Sequence, residues 1–87
     1  MADVIFSPIA MRDYMEWQTK DRKTSKKIND LIEDIQRNGF MKGKGKPEPL
    51  KHMKAYSRRI DDANRLIYMG DEKQNLRIIS CAGHYTE

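Results

Sequence analysis

The sequence predicts an α+β fold in which two N-terminal helices pack on one face of a small antiparallel sheet, in the order β-α-α-β-β-β. Two observations carry this prediction. Apolar residues recur at helical spacing in the first half of the chain, and three strand-like runs separated by short polar connectors fill the second half. The 87 residues contain no repeat and no linker, so we expect residues 1–87 to form one domain with one modest core.

The first half of the chain is expected to supply one strand and two helices. Residues 4–6 are apolar and predict a short strand, after which Ser7 offers an N-cap and Pro8 the first helical position. The second helix should run from about residue 21 to residue 37 and end at Asn38-Gly39. Two sets of side chains at helical spacing are assigned to the core: Met11, Tyr14, Met15 and Gln18, with Trp17 close to them, and then Thr24, Ile28, Leu31, Ile32 and Ile35.

Three strand-like runs, at residues 55–60, 65–69 and 76–81, form the rest of the predicted sheet. The connectors between them are short enough for hairpins. Side chains alternate along the middle run, so Leu66 and Tyr68 take one face while Arg65, Ile67 and Met69 take the other. We assign Leu66 and Tyr68 to the helices, which turns Arg65 toward the open face of the sheet.

The composition fits a cytoplasmic protein that needs neither metal nor cofactor. No apolar run approaches a membrane span, and the N-terminus lacks a basic segment followed by an apolar one. Cys81 is the single cysteine, which fits a reducing compartment, and at the end of an apolar run we expect it to be buried rather than nucleophilic. Cys81, His52 and His84 show no metal-ligand spacing.

Positive charge is concentrated in one basic segment, residues 42–65. This segment holds eight cations against three acids, whereas the rest of the chain holds nine cations against ten acids. Such clustering favours a surface for a polyanion, although an acidic protein partner or a solubilising face would show the same charge. The eight cations are Lys42, Lys44, Lys46, Lys51, Lys54, Arg58, Arg59 and Arg65.

One carboxylate interrupts the loop at the start of this segment. Glu48 lies between Pro47 and Pro49, whose rings fix their own φ angles and bias Lys46 and Glu48 toward extended geometry. An RNA-binding loop gains phosphate affinity from each lysine and loses it from an acid, unless the acid takes a proton during a reaction. A solvated charged loop is the alternative that composition alone would favour.

Glu48, Arg65 and His84 together offer what RNA cleavage without a metal ion requires. Glu48 would deprotonate the ribose 2′-hydroxyl, Arg65 would neutralise charge on the phosphate, and His84 would protonate the departing 5′-oxygen. Lys51 could add a second positive charge at the phosphate, and Tyr85 could orient a base or stack on it.

Other basic residues are candidates for contact with RNA. We assign Lys44, Lys46 and Lys54 to this surface. Arg58 and Arg59 point to opposite faces of their strand, so at most one of them is expected to contact RNA, and Arg58 is the stronger candidate.

Several short runs, spread over nearly the whole chain, have the residues and spacing of one known family: Asp13-Tyr14, Trp17-Gln18, Lys26-Lys27-Ile28-Asn29, Leu31-Ile32, the loop from Gly43 to His52, Ser57-Arg58-Arg59-Ile60, Arg65-Leu66-Ile67-Tyr68 and His84-Tyr85. In these runs the chain resembles the YoeB toxins, also called the Txe group, of the RelE superfamily of bacterial toxin–antitoxin systems. Because the match extends along the chain, it is far more specific than any one short motif.

The resemblance implies an activity, partners and site residues. Toxins of this family are mRNA endonucleases that act in the ribosomal A site and are silenced by a co-expressed antitoxin of the YefM/Axe type. The matching motifs assign the general base to Glu48, phosphate-binding and transition-state roles to Lys51 and Arg65, the general acid to His84, and substrate orientation to Tyr85. The oligomeric state stays open, with a homodimer as one option.

Three positions depart from the family pattern. Tyr56 stands where the family commonly has Trp, and Asn64 where it commonly has His. Thr86-Glu87 extend past the His-Tyr pair that usually ends the chain, which argues against a role for a terminal carboxylate beside Tyr85. None of these departures removes a proposed catalytic group.

Alternative interpretations remain for the site and for the whole chain. Arg65 could pair with Asp61 or Asp62, and His84 and Tyr85 could be a frayed C-terminal tail. Besides an endoribonuclease toxin, the basic segment would suit a non-catalytic nucleic-acid-binding module or a domain that holds an acidic peptide. The non-catalytic nucleic-acid-binding module is disfavoured because Glu48 would weaken phosphate binding and surface aromatic residues for base stacking are few.

Overall fold

A computed structural model describes residues 3–83 of the chain. Within this range two helices and one sheet of five strands form, in the chain order β1 (Val4–Phe6), α1 (Pro8–Lys20), α2 (Arg22–Asn38), β2 (Glu48–Pro49), β3 (Tyr56–Arg59), β4 (Arg65–Gly70) and β5 (Leu76–Ser80). The strand order across the sheet is β1-β5-β4-β3-β2. Both helices pack on one face of this sheet, so the predicted α+β fold is confirmed, with β2 as a further strand where the sequence predicted a loop. No helix of the described range is long and apolar enough to cross a membrane.

The sheet is mixed rather than wholly antiparallel, because β1 lies parallel to β5. Ser7, directly after β1, donates hydrogen bonds to β5 from its N–H to the Ile78 carbonyl oxygen and from its hydroxyl to the Ile79 carbonyl oxygen. The same hydroxyl accepts from the N–H of Ala10 and caps α1. One side chain therefore fixes both the end of β1 and the start of α1.

The predicted core face of α1 is wrong at three positions. Met11 and Met15 are 42% and 62% exposed, and Gln18 is also exposed. Ala10 and Asp13 are buried in their place, while Tyr14 and Trp17 are half-buried against the core.

Two contacts with the end of the sheet explain this orientation of α1. The Asp13 carboxylate accepts a hydrogen bond of 3.2 Å from the N–H of Cys81, and the Trp17 indole donates to the Cys81 carbonyl oxygen over 2.8 Å. A small residue at Ala10 lets the helix approach, so that the Cys81 thiol lies 3.6 Å from the Ala10 carbonyl oxygen. Apolar periodicity cannot reveal a helix face that is chosen by an aspartate and an alanine.

The core between α2 and the sheet agrees with the sequence. Ile28, Leu31, Ile32 and Ile35 are buried on α2, although Ser25 is buried where Thr24 was expected. Leu66 and Tyr68 of β4 pack against the helices, as predicted, together with Leu76 and Ile78 of β5. The core therefore holds β4 in the orientation that turns Arg65 to the opposite face.

Cys81 is buried at the end of β5, as expected. Burial raises the pKa of its thiol to about 12, and the nearby Asp13 carboxylate adds to this rise. The thiolate is therefore negligible near neutral pH, and Cys81 has the character of a core residue rather than a nucleophile.

Candidate active site

The register of three neighbouring strands defines one candidate face, made by Glu48, Ser57, Arg59 and Arg65. Glu48 of β2 lies opposite Ser57 of β3, and Arg59 of β3 lies opposite Arg65 of β4. Directly paired residues point to the same side of a sheet, as do residues two apart on one strand. All four side chains therefore lie on the side away from the helices, and Glu48 and Arg65 share a face, as the sequence predicted.

Arg65 is held at the edge of this face without an acidic partner from the described chain. Its guanidinium Nη1 lies 3.4 Å from the Ser57 hydroxyl oxygen. Asp61 instead accepts hydrogen bonds from the backbone N–H groups of Ala63 and Asn64, which forms the β3–β4 turn. Within residues 3–83 no carboxylate forms an ion pair with Arg65, so its charge is available to an anionic ligand.

Glu48 is exposed on the short edge strand β2, between two proline rings. Pro47 and Pro49 stiffen the backbone on both sides of it. The side chains of Lys44 and Lys46 are exposed on the chain that leads into β2, and those of Lys51 and Lys54 are exposed on the chain that follows it. The predicted basic surroundings of Glu48 are therefore present.

The prediction that Arg58 contacts RNA is wrong, because its side chain is 0% exposed. Arg58 lies opposite Leu66 and on the same face as Tyr68, so it points into the protein interior toward α2. Its guanidinium Nη1 pairs with Asp34 over 2.6 Å, and its Nε donates to the Tyr68 hydroxyl over 2.9 Å. The remaining N–H groups donate to three carbonyl oxygens of the loop before β2, those of Gly39 at 2.8 Å, Lys42 at 2.7 Å and Lys44 at 2.9 Å.

The Asp34 carboxylate completes this buried cluster. It accepts hydrogen bonds from the N–H of Lys44, the Arg58 guanidinium and the amide of Asn38. The Lys44 N–H and then the Arg58 guanidinium hold the pKa of Asp34 below its ordinary value of 3.8, against the opposing effect of burial. Asp34 is therefore ionised beside Arg58 at neutral pH.

Burial raises the pKa of Tyr68, whose hydroxyl donates a hydrogen bond to the Phe40 carbonyl oxygen.

Arg59, which the sequence ranked below Arg58, is the arginine of this pair that lies on the candidate face. Its side chain is 46% exposed, and its Nη1 reaches Asp62 at 4.0 Å, the limit of an ion pair. Arg59 and Arg65 are directly opposite each other on adjacent strands, which brings two positive charges together. Strand alternation alone, applied to the β3–β4 hairpin, could have identified this placement.

His84 and Tyr85 lie outside the described residues. The described chain ends at Gly83, which is tied to the start of β4. The Gly83 N–H donates to the Asn64 side-chain oxygen over 2.8 Å, and the Gly83 carbonyl oxygen accepts from the Arg65 N–H over 2.9 Å. The backbone position one residue before His84 is thus fixed beside Arg65.

A separate groove between α2 and the β3–β4 turn carries none of these groups. Lys23, Lys26, Lys27, Asp30 and Asp61 line it. Its three lysines and two aspartates are exposed surface charges. In residues 3–83 no group of three or more His, Cys, Asp and Glu side chains is placed to hold a metal ion.

A family model described as the YoeB-like toxin of bacterial type II toxin–antitoxin systems matches residues 6–85. The chain belongs to this family. Toxin YoeB of Escherichia coli strain K12 is 45% identical over 84 residues, which cover 94% of this chain and 98% of that protein. Toxin YoeB of Streptomyces coelicolor is 48% identical over the same shares of the two chains.

Solved structures of YoeB toxins have the same fold. The toxin of the heterotetrameric YoeB–YefM complex from Staphylococcus aureus is 46% identical, superposes with a TM-score of 0.88, and covers 95% of this chain and 97% of its own. The YoeB/ParE toxin from Agrobacterium tumefaciens is 40% identical with a TM-score of 0.89, and the match covers 95% and 99% of the two chains. YafQ from Escherichia coli, at 19% identity and a TM-score of 0.73, shares the fold alone.

We predict that Arg58→Ala destabilises the protein strongly, whereas Arg59→Ala hardly changes its stability. Arg58→Ala leaves the buried Asp34 carboxylate without its positive partner and three loop carbonyl oxygens without their donor, so it should lower the free energy of unfolding by about 3–5 kcal/mol. Arg59→Ala removes a half-exposed side chain and should change it by less than about 0.5 kcal/mol. Urea denaturation of both variants measures the difference, and equal losses would contradict the assignment of Arg58 to the interior.

We also predict that the free energy of unfolding falls in acid as Asp34 becomes protonated. Because the folded-state pKa of Asp34 is lowered, its stabilising contribution is complete above the unfolded-state pKa of about 3.9 and is lost as the pH falls through the folded-state value. The difference in free energy of unfolding between the wild type and Asp34→Asn should therefore shrink below about pH 4. Asp62→Asn, at a fully exposed position, is the control. A difference for Asp34→Asn that stays constant down to pH 2 would refute this role.

Proposed function

We propose that the chain is a ribosome-dependent mRNA endonuclease that acts in the cytoplasm, cleaves mRNA in the ribosomal A site and so stops translation and growth. The observation that supports it most is the strand register, which gives Glu48, Arg59 and Arg65 one common face. A carboxylate is the base that a 2′-hydroxyl needs, and two guanidinium groups suit a phosphate. Membership in the YoeB-like toxins agrees with this activity.

The proposed reaction is an attack of the ribose 2′-oxygen on the adjacent phosphorus. Glu48 takes the 2′-hydroxyl proton as the bond between the 2′-oxygen and phosphorus forms. The bond between phosphorus and the 5′-oxygen breaks, and His84 gives that oxygen a proton. Arg65 neutralises the charge that grows on the phosphate, assisted by Lys51, and Tyr85 orients the substrate.

Arg59 joins Arg65 in the proposed phosphate site. Like charges that lie directly opposite each other on adjacent strands destabilise a sheet. A phosphate group placed between Arg59 and Arg65 would remove this repulsion and accept hydrogen bonds from both guanidinium groups. The pair is therefore expected to bind phosphate more tightly than either arginine alone.

The ribosome is proposed to hold the substrate. A chain of this size with one candidate face is not expected to keep flexible mRNA by itself in the in-line geometry that the attack requires. The A site presents ordered nucleotides, and ribosomal RNA offers phosphates to the exposed side chains of Lys44, Lys46 and Lys54. Binding should accordingly weaken steeply as the salt concentration rises.

The proposed inhibitor is an acidic antitoxin of the YefM/Axe type. A YoeB from Staphylococcus aureus was solved in a heterotetramer with YefM, and a YoeB from the same organism was also solved as a dimer. For this chain we propose that an acidic antitoxin segment covers the face of Glu48 and Arg65, drawn there by the basic segment. A homodimer of the free toxin is proposed on the same comparison.

We predict that Glu48→Gln abolishes growth arrest and slows cleavage on programmed ribosomes by about a hundredfold to ten-thousandfold, as loss of a general base should. His84→Gln should have a similar effect through loss of the general acid. Glu33→Gln, at an exposed position of α2, is the matched control and should retain full activity. A folded Glu48→Gln variant that still arrests growth would remove Glu48 from the mechanism.

We predict that programmed ribosomes accelerate cleavage of a given message. Single-turnover rates on one mRNA, with and without ribosomes stalled at a defined codon, measure the effect. Free RNA should be cleaved weakly, because the toxin supplies the acid and the base, whereas the ribosome supplies the in-line geometry of the mRNA strand. Equal rates on free and ribosome-bound message would refute ribosome dependence.

A further inference from the structure

The strand that carries Glu48, β2, is short. β2 consists of two residues at the edge of the sheet, and one of them is Pro49, which cannot donate a hydrogen bond. In the preceding loop Phe40 packs on the core, with its ring centroid 5.2 Å from that of Tyr56 and 6.1 Å from that of Tyr68. Between Phe40 and Pro47 the one large apolar side chain is Met41, which is 47% exposed, so polar contacts must hold much of this backbone.

Arg58 fixes this backbone from inside the protein. A guanidinium has five N–H donors in a rigid planar arrangement, and all five are used here. Three of them bind loop carbonyl oxygens, so that one side chain of β3 sets the positions of Gly39, Lys42 and Lys44 together. A lysine could not replace it, because an ammonium group is a point charge with three donors.

Asp34 and Tyr68 complete this arrangement, which we call the Arg58 cluster. The Tyr68 hydroxyl accepts from Arg58 and donates to the Phe40 carbonyl oxygen, so it connects Arg58 to a fourth position of the loop. Asp34 accepts from the Lys44 N–H while Arg58 donates to the Lys44 carbonyl oxygen, so both backbone groups of Lys44 are held.

Gly43 shows how closely the loop lies against the cluster. A Cβ atom at this position would come within 1.9 Å of the Asp34 carboxylate, and the residue also has a φ of +112°. Any side chain at this position would push the loop away from Asp34. The sequence has glycine where the cluster leaves no room.

The fixed backbone continues directly to Glu48. The Gly45 carbonyl oxygen accepts a hydrogen bond of 2.7 Å from the Arg59 N–H, one residue beyond the doubly held Lys44. Lys46 has a φ of 52°, which lies in the left-handed region, so the extended geometry that the following proline predicted for it is wrong; the rigid Pro47 then leads to Glu48. A displacement of Lys44 would therefore be transmitted over a short, stiff chain to the Glu48 carboxylate.

We infer that Arg58, Asp34 and Tyr68 are positioning residues, which set the place of the Glu48 carboxylate relative to Arg65 through the loop backbone that they bind. The inference rests on the proposed function, in which Glu48 is the general base. Misplacement of a catalytic group by about 1 Å can cost about a hundredfold in rate. The Arg58 cluster should thus control the rate of cleavage more than the binding of the ribosome.

Tyr68→Phe is the sharpest test, because it removes one hydroxyl and leaves the ring in the core. Single-turnover cleavage on programmed ribosomes should slow by about tenfold to a hundredfold at saturating ribosome concentration, while the half-saturating concentration changes by less than about twofold. Amide hydrogen exchange at Lys44 and Arg59 should accelerate. Ile28→Val, a buried change on α2 away from the loop, is the control for a general loss of stability and should leave the rate unchanged.

A double-mutant cycle separates positioning from a general structural effect. If Tyr68 acts through Glu48, adding Tyr68→Phe to Glu48→Gln should cause no further loss of rate. Additive losses would overturn the inference, as would an unchanged rate in Tyr68→Phe with faster exchange at Lys44. Arg58→Lys is a second variant, which keeps the positive charge and should slow cleavage like Tyr68→Phe if it folds. Absence of cleavage by the wild type would refute the proposed function and the positioning role with it, whereas cleavage with additive losses would refute the positioning role alone.

Discussion

The buried guanidinium of Arg58 is the constraint on which the rest of this structure depends. A charge without solvent is costly, and it is tolerated here because Asp34 neutralises it and each of its five donors has an acceptor. Those acceptors belong to α2, β4 and the loop before β2, so one side chain joins three parts of the fold. The polar interior thus holds a loop whose apolar anchor is the Phe40 ring.

This arrangement also changes how the basic segment should be understood. Of its eight cations, Arg58 is neutralised inside the protein, and seven remain to face solvent or a ligand. Arg59 and Arg65 lie opposite each other on the face that Glu48 shares. Under the proposed function, the positive charge that contacts RNA is therefore concentrated around one carboxylate, which suits acid–base chemistry on a phosphodiester.

Those parts of the fold that follow from periodicity could be predicted from the sequence. The apolar stripe of α2 and the alternation of β4 gave the core and the orientation of Arg65 correctly. The face of α1 could not be predicted this way, because a hydrogen bond from the Cys81 N–H to Asp13 selects it. The burial of Arg58 was missed because its charge suggested the surface, although Asp34, three residues after Leu31 on the apolar side of α2, was a signal for a buried partner.

We propose that a base and an acid of the toxin cleave RNA by attack of the 2′-oxygen on phosphorus. The most direct test is to identify the ends of the mRNA fragments released early in a single-turnover reaction on programmed ribosomes. We expect 2′,3′-cyclic phosphates on the upstream fragment and 5′-hydroxyl groups on the downstream fragment, since the 5′-oxygen leaves and takes the proton. Fragments that carry 3′-hydroxyl and 5′-phosphate ends would contradict the proposed roles of Glu48 and His84.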